Sequence, residues 1–98
     1  MLVLDTTTGK EITAFDIVGD TDDMFFDPER KRVYLAGGEG FIDILDARVP
    51  TTVTRLARMN TAAGARTALF AHEQARLYLA VPHRGAQRAE IRVYDVRD

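Results

Sequence analysis

An all-β fold is predicted for this chain, and three observations predict it. The segment FFDPERKRVYLA at 25–36 returns as LFAHEQARLYLA at 69–80, 44 positions further on. Each copy is followed by a second apolar stretch that ends in aspartate, FIDILD at 41–46 and EIRVYD at 90–95. The apolar residues alternate over short runs bounded by Gly, Pro, Asp and Thr, the period-2 pattern of half-buried strands. An internal period of this size marks stacked β units, each too small to bury its own apolar faces.

Taken in order, residues 1–5 open as a short β run and Thr6-Thr7-Thr8-Gly9 makes a turn. Residues 11–18 form a loosely alternating β-rich run, punctuated by the aspartates of 20–23. Residues 24–27 are the next predicted strand, and Pro28 pre-sets φ for a type I turn after it. Residues 32–36 follow, with Val33 and Leu35 on one side and Tyr34 and Ala36 on the other. Gly37-Gly38-Glu39-Gly40 supplies the backbone freedom for a tight reversal. Residues 41–46 run back, with Ile42 and Ile44 opposite Phe41, Asp43 and Leu45. Pro50 marks a break, and 51–56 offers a fourth, more polar strand.

The second round keeps this order in 67–71, 76–80 and 91–95, with Tyr78 in the place of Tyr34 and Arg92 in the place of Asp43. Five extra residues within 81–89 stretch the offset from 44 to 49. The alanines of 57–72 favour a short helix, but Asn60, Thr61 and Gly64 interrupt them, so strand and turn are expected there.

Bulk properties narrow the class. Ninety-eight residues suit one small domain, and 46% apolar content is that of a globular chain. The net charge of −2, with both signs mixed along the chain, gives no basic stripe for nucleic acid. No run is long and apolar enough to cross a bilayer as a helix, and Met1 leads straight into LVLD without the basic and apolar regions of a signal peptide. A cytoplasmic location is the default expectation. Cysteine is absent, which removes disulfides, thiolate nucleophiles and Cys-based zinc sites. Serine is absent too, so a Ser- or Cys-based catalytic triad has no nucleophile, and the expectation leans away from an enzyme.

Tyr34-Leu35-Ala36-Gly37-Gly38 followed by Ile42-Asp43-Ile44-Leu45-Asp46 resembles the YVTN-type β-propeller repeat, within the WD40-like and lactonase-like propeller group. Leu2-Val3-Leu4-Asp5-Thr6-Thr7-Thr8-Gly9-Lys10 resembles that family's closing strand and turn, and Asp27-Pro28 its reversal before the tyrosine strand. Asp46 and Asp95 end equivalent strands. The resemblance implies β-propeller blades: about two four-stranded antiparallel blades, one complete and flanked by partial ones. On this reading 1–98 is a partial propeller domain, with 1–18 the outer strands of a partial blade, 22–58 a complete blade and 66–96 an incomplete one. Two blades do not close a ring, so closure by oligomerisation is expected. The partner would be a second or third copy of the chain, and strand exchange would let 11–18 of one copy complete the last blade of another. The function implied is a non-enzymatic binding or interaction scaffold. The alternatives are a metal-assisted hydrolase of the lactonase-like kind and a fragment without activity of its own.

Three groups of residues are candidates for a role. His83, Arg84 and Arg88 share one loop, where two guanidinium groups could hold an anion or carboxylate. Asp20, Asp22 and Asp23 offer hard oxygen ligands to a divalent cation, although their spacing is not that of an EF-hand; no other cofactor is expected. His72 is read as a turn residue rather than a ligand. Arg66 stands where the first repeat has Asp22, so an Asp–Arg contact across the inner ends of the two units is expected. Tyr34, Tyr78, Pro28, Asp46 and Asp95 are read as structural.

Overall fold

The computed structural model describes residues 1–49 and 51–97, so the break expected at Pro50 lies outside the described residues. Among the described residues there are nine strands: β1 (Leu2–Leu4), β2 (Glu11–Ala14), β3 (Thr21–Asp27), β4 (Arg32–Gly37), β5 (Phe41–Asp46), β6 (Thr54–Asn60), β7 (Thr67–Ala71), β8 (Arg76–Val81) and β9 (Glu90–Asp95). One 3₁₀ turn, His72–Gln74, joins β7 to β8. The alanine-rich stretch that favoured a helix is instead β6, a turn and β7. All-β composition is therefore what the chain adopts.

The strands form three separate antiparallel sheets, β1-β2, β3-β4-β5-β6 and β7-β8-β9. Alternation sets how they stack. On β4, Tyr34 and Ala36 join Ile42 in a core with Leu77, Leu79 and Val81 of β8. Leu35 on the opposite face joins Leu45 and Val18 in a second core, flanked by Met1, Phe15 and Ile17. The four-stranded sheet is thus covered on one face by β7–β9 and on the other by the segment carrying β1 and β2. Burying both faces explains why β4 and β5 read as nearly continuous apolar runs.

This arrangement overturns the propeller reading. A propeller needs sheets set radially, with the first meeting the last. Here three sheets of two, four and three strands stand in a row, and none is closed or curled. The molecule is elongated, 47 × 27 × 20 Å, and the outer face of β7–β9 is open. Short motifs such as Tyr34-Leu35-Ala36 and Asp27-Pro28 specify a strand and a reversal. They do not specify how sheets are placed around an axis.

Strand limits also shift for local reasons. β6 begins at Thr54 rather than 51, and Thr52, whose N–H donates to the Val49 carbonyl (2.9 Å), still lies outside the strand. β2 stops at Ala14, and the residues after it turn inward, placing Val18 in the second core. A bulge in β3–β4 leaves Asp22 unpaired between Thr21 and Asp23. Another bulge in β5–β6 leaves Leu56 unpaired and half exposed.

Candidate functional site

Two carboxylates are buried completely, Asp27 and Asp43, and both ionise inside polar frames. Asp27 closes β3 as an Asx-type turn: Oδ1 accepts from Glu29 N–H (3.1 Å) and Arg30 N–H (3.2 Å). Its Oδ2 accepts from Tyr34 Oη–H at 2.9 Å and from the Arg30 guanidinium at 3.2 Å. Asp43 sits mid-strand on β5. Arg58 of β6 donates to it twice, from Nε (2.6 Å) and Nη2 (2.9 Å), and Val18 N–H donates at 2.7 Å. Arg55 stands 4.0 Å away. The β6 bulge makes this possible, since Leu45 pairs with Arg55 and Asp43 with Arg58, so residues three apart share one face.

Burial works against ionisation of both groups, yet their hydrogen bonds and neighbouring charges outweigh it. Asp27 is held below the ordinary carboxylate range by Tyr34 and Arg30, Asp43 by Arg58, Val18 N–H and Arg55. Tyr34 is pushed up to about 12, first by burial and then by the Asp27 carboxylate it donates to. A general base needs a pKa near the working pH and a free lone pair facing substrate. These carboxylates have neither, and their work is to tie strands together.

The residues singled out from the sequence are dispersed. Asp20 pairs with Arg66 (Nη1–Oδ2 3.1 Å), and Asp23 Oδ2 accepts from Ala68 N–H at 2.7 Å. Asp22 is exposed at its bulge, and the Asp–Arg contact between the two units is made by Asp20 with Arg66. No group of three His, Cys, Asp or Glu that could hold a metal is found among the described residues. His83, Arg84 and Arg88 are all exposed. Their loop narrows at an Arg84–Gln87 bridge, and Gln87 Nε2 anchors it to the carbonyls of Pro82 (2.8 Å) and Ala63 (3.0 Å). Arg84 lies along Gly64, where a Cβ would come within 2.8 Å of its guanidinium.

The remaining structural candidates sit in turns and strand ends. Pro28 is exposed in the β3–β4 turn. Asp46 accepts from Arg48 at 2.6–3.0 Å, and Tyr78 Oη–H donates to Gln74 Oε1 at 2.6 Å. Asp95 lies 3.4 Å from Arg76, and His72 lies 3.4 Å from Glu29. Sequence reasoning passed over Arg58 and Arg55, because only the bulged register aims them at Asp43.

Large apolar side chains are also left bare. On the outer face of β7–β9, Leu69, Ile91 and Val93 are 60%, 64% and 52% exposed, with Tyr78 and Ala80 between them. On β3, Met24 and Phe26 are 58% and 54% exposed beside Leu35 and Val33, on the face that β1 and β2 only partly cover. A cleft of about 360 Å³ also opens between the larger sheets, lined by Ile44, Met59, Leu77 and Val96. Arg32 lines it too and donates to the Arg97 carbonyl at 2.5 Å. Two apolar patches are thus exposed, one on β7–β9 and one on β3.

No known protein family, curated protein or solved structure matches the chain. The resemblance to YVTN, WD40-like and lactonase-like propellers therefore finds no support in comparison, as it finds none in the sheet arrangement. The propeller-type binding scaffold, the lactonase-like hydrolase and the propeller fragment fall with it.

Proposed function

We propose that this chain is an assembly unit whose working form is a homo-oligomer, a dimer or trimer held through the open face of β7–β9. The observation that carries this reading is the apolar surface of Leu69, Tyr78, Ala80, Ile91 and Val93 on a sheet whose opposite face is already core. Contiguous apolar surface of this kind is costly to leave in water. Face docking is favoured over exchange of the 11–18 strand, because β2 is already paired with β1 and those bonds would have to break first.

Light scattering over a range of concentrations tests it. A mass of about two or three times 10.9 kDa at micromolar protein, falling on dilution, is expected. A compact monomer at those concentrations sinks the reading.

A further inference from the structure

The internal packing shows what kind of surface this open face accepts. In the repeat, Leu69, Tyr78, Ala80, Ile91 and Val93 hold the places of Phe25, Tyr34, Ala36, Ile42 and Ile44. That second set is the face of β3–β6 which the molecule covers with β7–β9. At the seam the Phe70 ring lies 5.0 Å from the Tyr34 ring, tilted by 53°. Phe70 in turn holds the place of Phe26, and Ala68 the place of Met24. The chain therefore carries an exposed copy of one half of its own internal interface and an exposed edge of the other, whose matching residues Val33 and Leu35 are covered by the segment of Val18. The copied half is the outer face of β7–β9. The exposed edge is the β3 surface of Met24 and Phe26.

From this juxtaposition we infer that self-association is head-to-tail: the β7–β8 face of one copy docks on Met24 and Phe26 of the next, with Tyr78 against Phe26 as Tyr34 is against Phe70. The inference rests on the association proposed above and specifies its geometry. Polar seams agree with it. Within the chain, Asp23 accepts from Ala68 N–H; Thr67 holds the place of Asp23 and also carries an acceptor oxygen, which would face Met24 of the next copy. In the receiving copy the segment after β2 lies over β4, β5 and β6, since Val18 packs on Leu35 and Leu45 and is bonded to Asp43, and Arg55 lines a hollow with Phe15 and Asp16, so β3 is the strand left open. β9 is thus the strand without matching room, and β7 and β8 carry the contact. An interface of this heterologous kind uses two different patches, unlike a two-fold dimer that uses one patch twice.

Two exposed substitutions test the geometry. Leu69→Lys blocks the tail and Phe26→Lys blocks the head, with Leu69→Gln and Phe26→Gln as milder versions and circular dichroism to confirm folding. Each variant alone is expected to be monomeric where the parent associates, with at least a tenfold rise in the concentration for half-association. Mixed in equal amounts, the two should form a 1:1 heterodimer, because one intact tail and one intact head remain. Ile91→Lys should weaken association far less than Leu69→Lys. Normal association of Phe26→Lys would mean a tail-to-tail dimer and overturn the inference while leaving the proposed function standing. Normal association of both variants, or failure of the mixture to pair, overturns it equally. A parent chain that stays monomeric removes both the proposed function and the geometry built on it.

Discussion

Between β3–β6 and β7–β9 the backbone repeats down to its left-handed residues, while the buried charges do not repeat at all. Asp20 (φ 54°) matches Gly64 (φ 78°), and Lys31 (φ 55°) matches Ala75 (φ 52°), each pair 44 positions apart. Asp27, by contrast, is matched by Ala71, and the buried Asp43 by the half-exposed Arg92. A buried carboxylate survives only with cations and donors around it. The first sheet has a fourth strand to bring Arg58 and Arg55, and a covering segment to bring Val18 N–H. The second has neither, and in the place of Asp43 it carries an arginine that pairs with the nearby Glu90 (2.9 Å). Turn geometry can thus be kept while the side chains on it are exchanged for those that suit one covered face instead of two.

The largest effect should come from breaking the charge frame that only the first sheet has. Asp43→Ala leaves Arg58 and Val18 N–H without their acceptor and should cost about 3 kcal/mol in urea unfolding. Arg92→Ala, at the matching position, should leave the midpoint unchanged. Equal losses would mean that the two sheets are not anchored differently after all.

Next in size is the tyrosine pair. Tyr34→Phe removes a donor from buried Asp27 and should cost about 1.5 kcal/mol, against about 0.5 kcal/mol for Tyr78→Phe, whose Gln74 partner is exposed. Denaturant midpoints of the two variants make the comparison directly.

The same frame predicts a pH dependence at both ends. Asp27 and Asp43 have lowered pKa values in the fold, so the stability they contribute is complete above the unfolded value of about 4. It is lost as pH falls from there through the lowered values. Tyr34 is raised from 10.0 to about 12, so its contribution is complete below pH 10 and is lost as pH rises towards 12. Melting temperatures of the parent should fall at both extremes. Asp43→Asn should flatten the acid limb, and Tyr34→Phe the alkaline one. An unchanged acid limb in Asp43→Asn would remove that carboxylate from the account.

The smallest effects test the shared backbone. Ala75→Gly and Lys31→Gly relieve a left-handed residue in equivalent turns, and each should raise stability by about 0.5–1 kcal/mol. Thermal melts showing a gain in one turn and a loss in the other would break the equivalence.

Much of the strand layout is legible in the residues, because the period of two reports which side chains share a face. Val33 and Leu35 do lie opposite Tyr34 and Ala36, and Ile42 and Ile44 do lie opposite Phe41 and Leu45. The candidate surface was harder to see. Leu69 and Phe70 read alike as strand residues, yet one is exposed and the other is core. The acidic run 20–23 reads as one cluster, but the bulge at Asp22 and the turn at Asp20 send its carboxylates to different partners.

By itself the sequence determined the all-β composition, the repeat and the alternation of faces, since these follow from local sterics and the pleat of each strand. Only the tertiary structure decided that the sheets stand in a row, that Arg55 and Arg58 converge on Asp43, and that β7–β9 keeps one apolar face open. Those outcomes depend on bulge register and on which sheet covers which, and such long-range choices are encoded by no single stretch of residues.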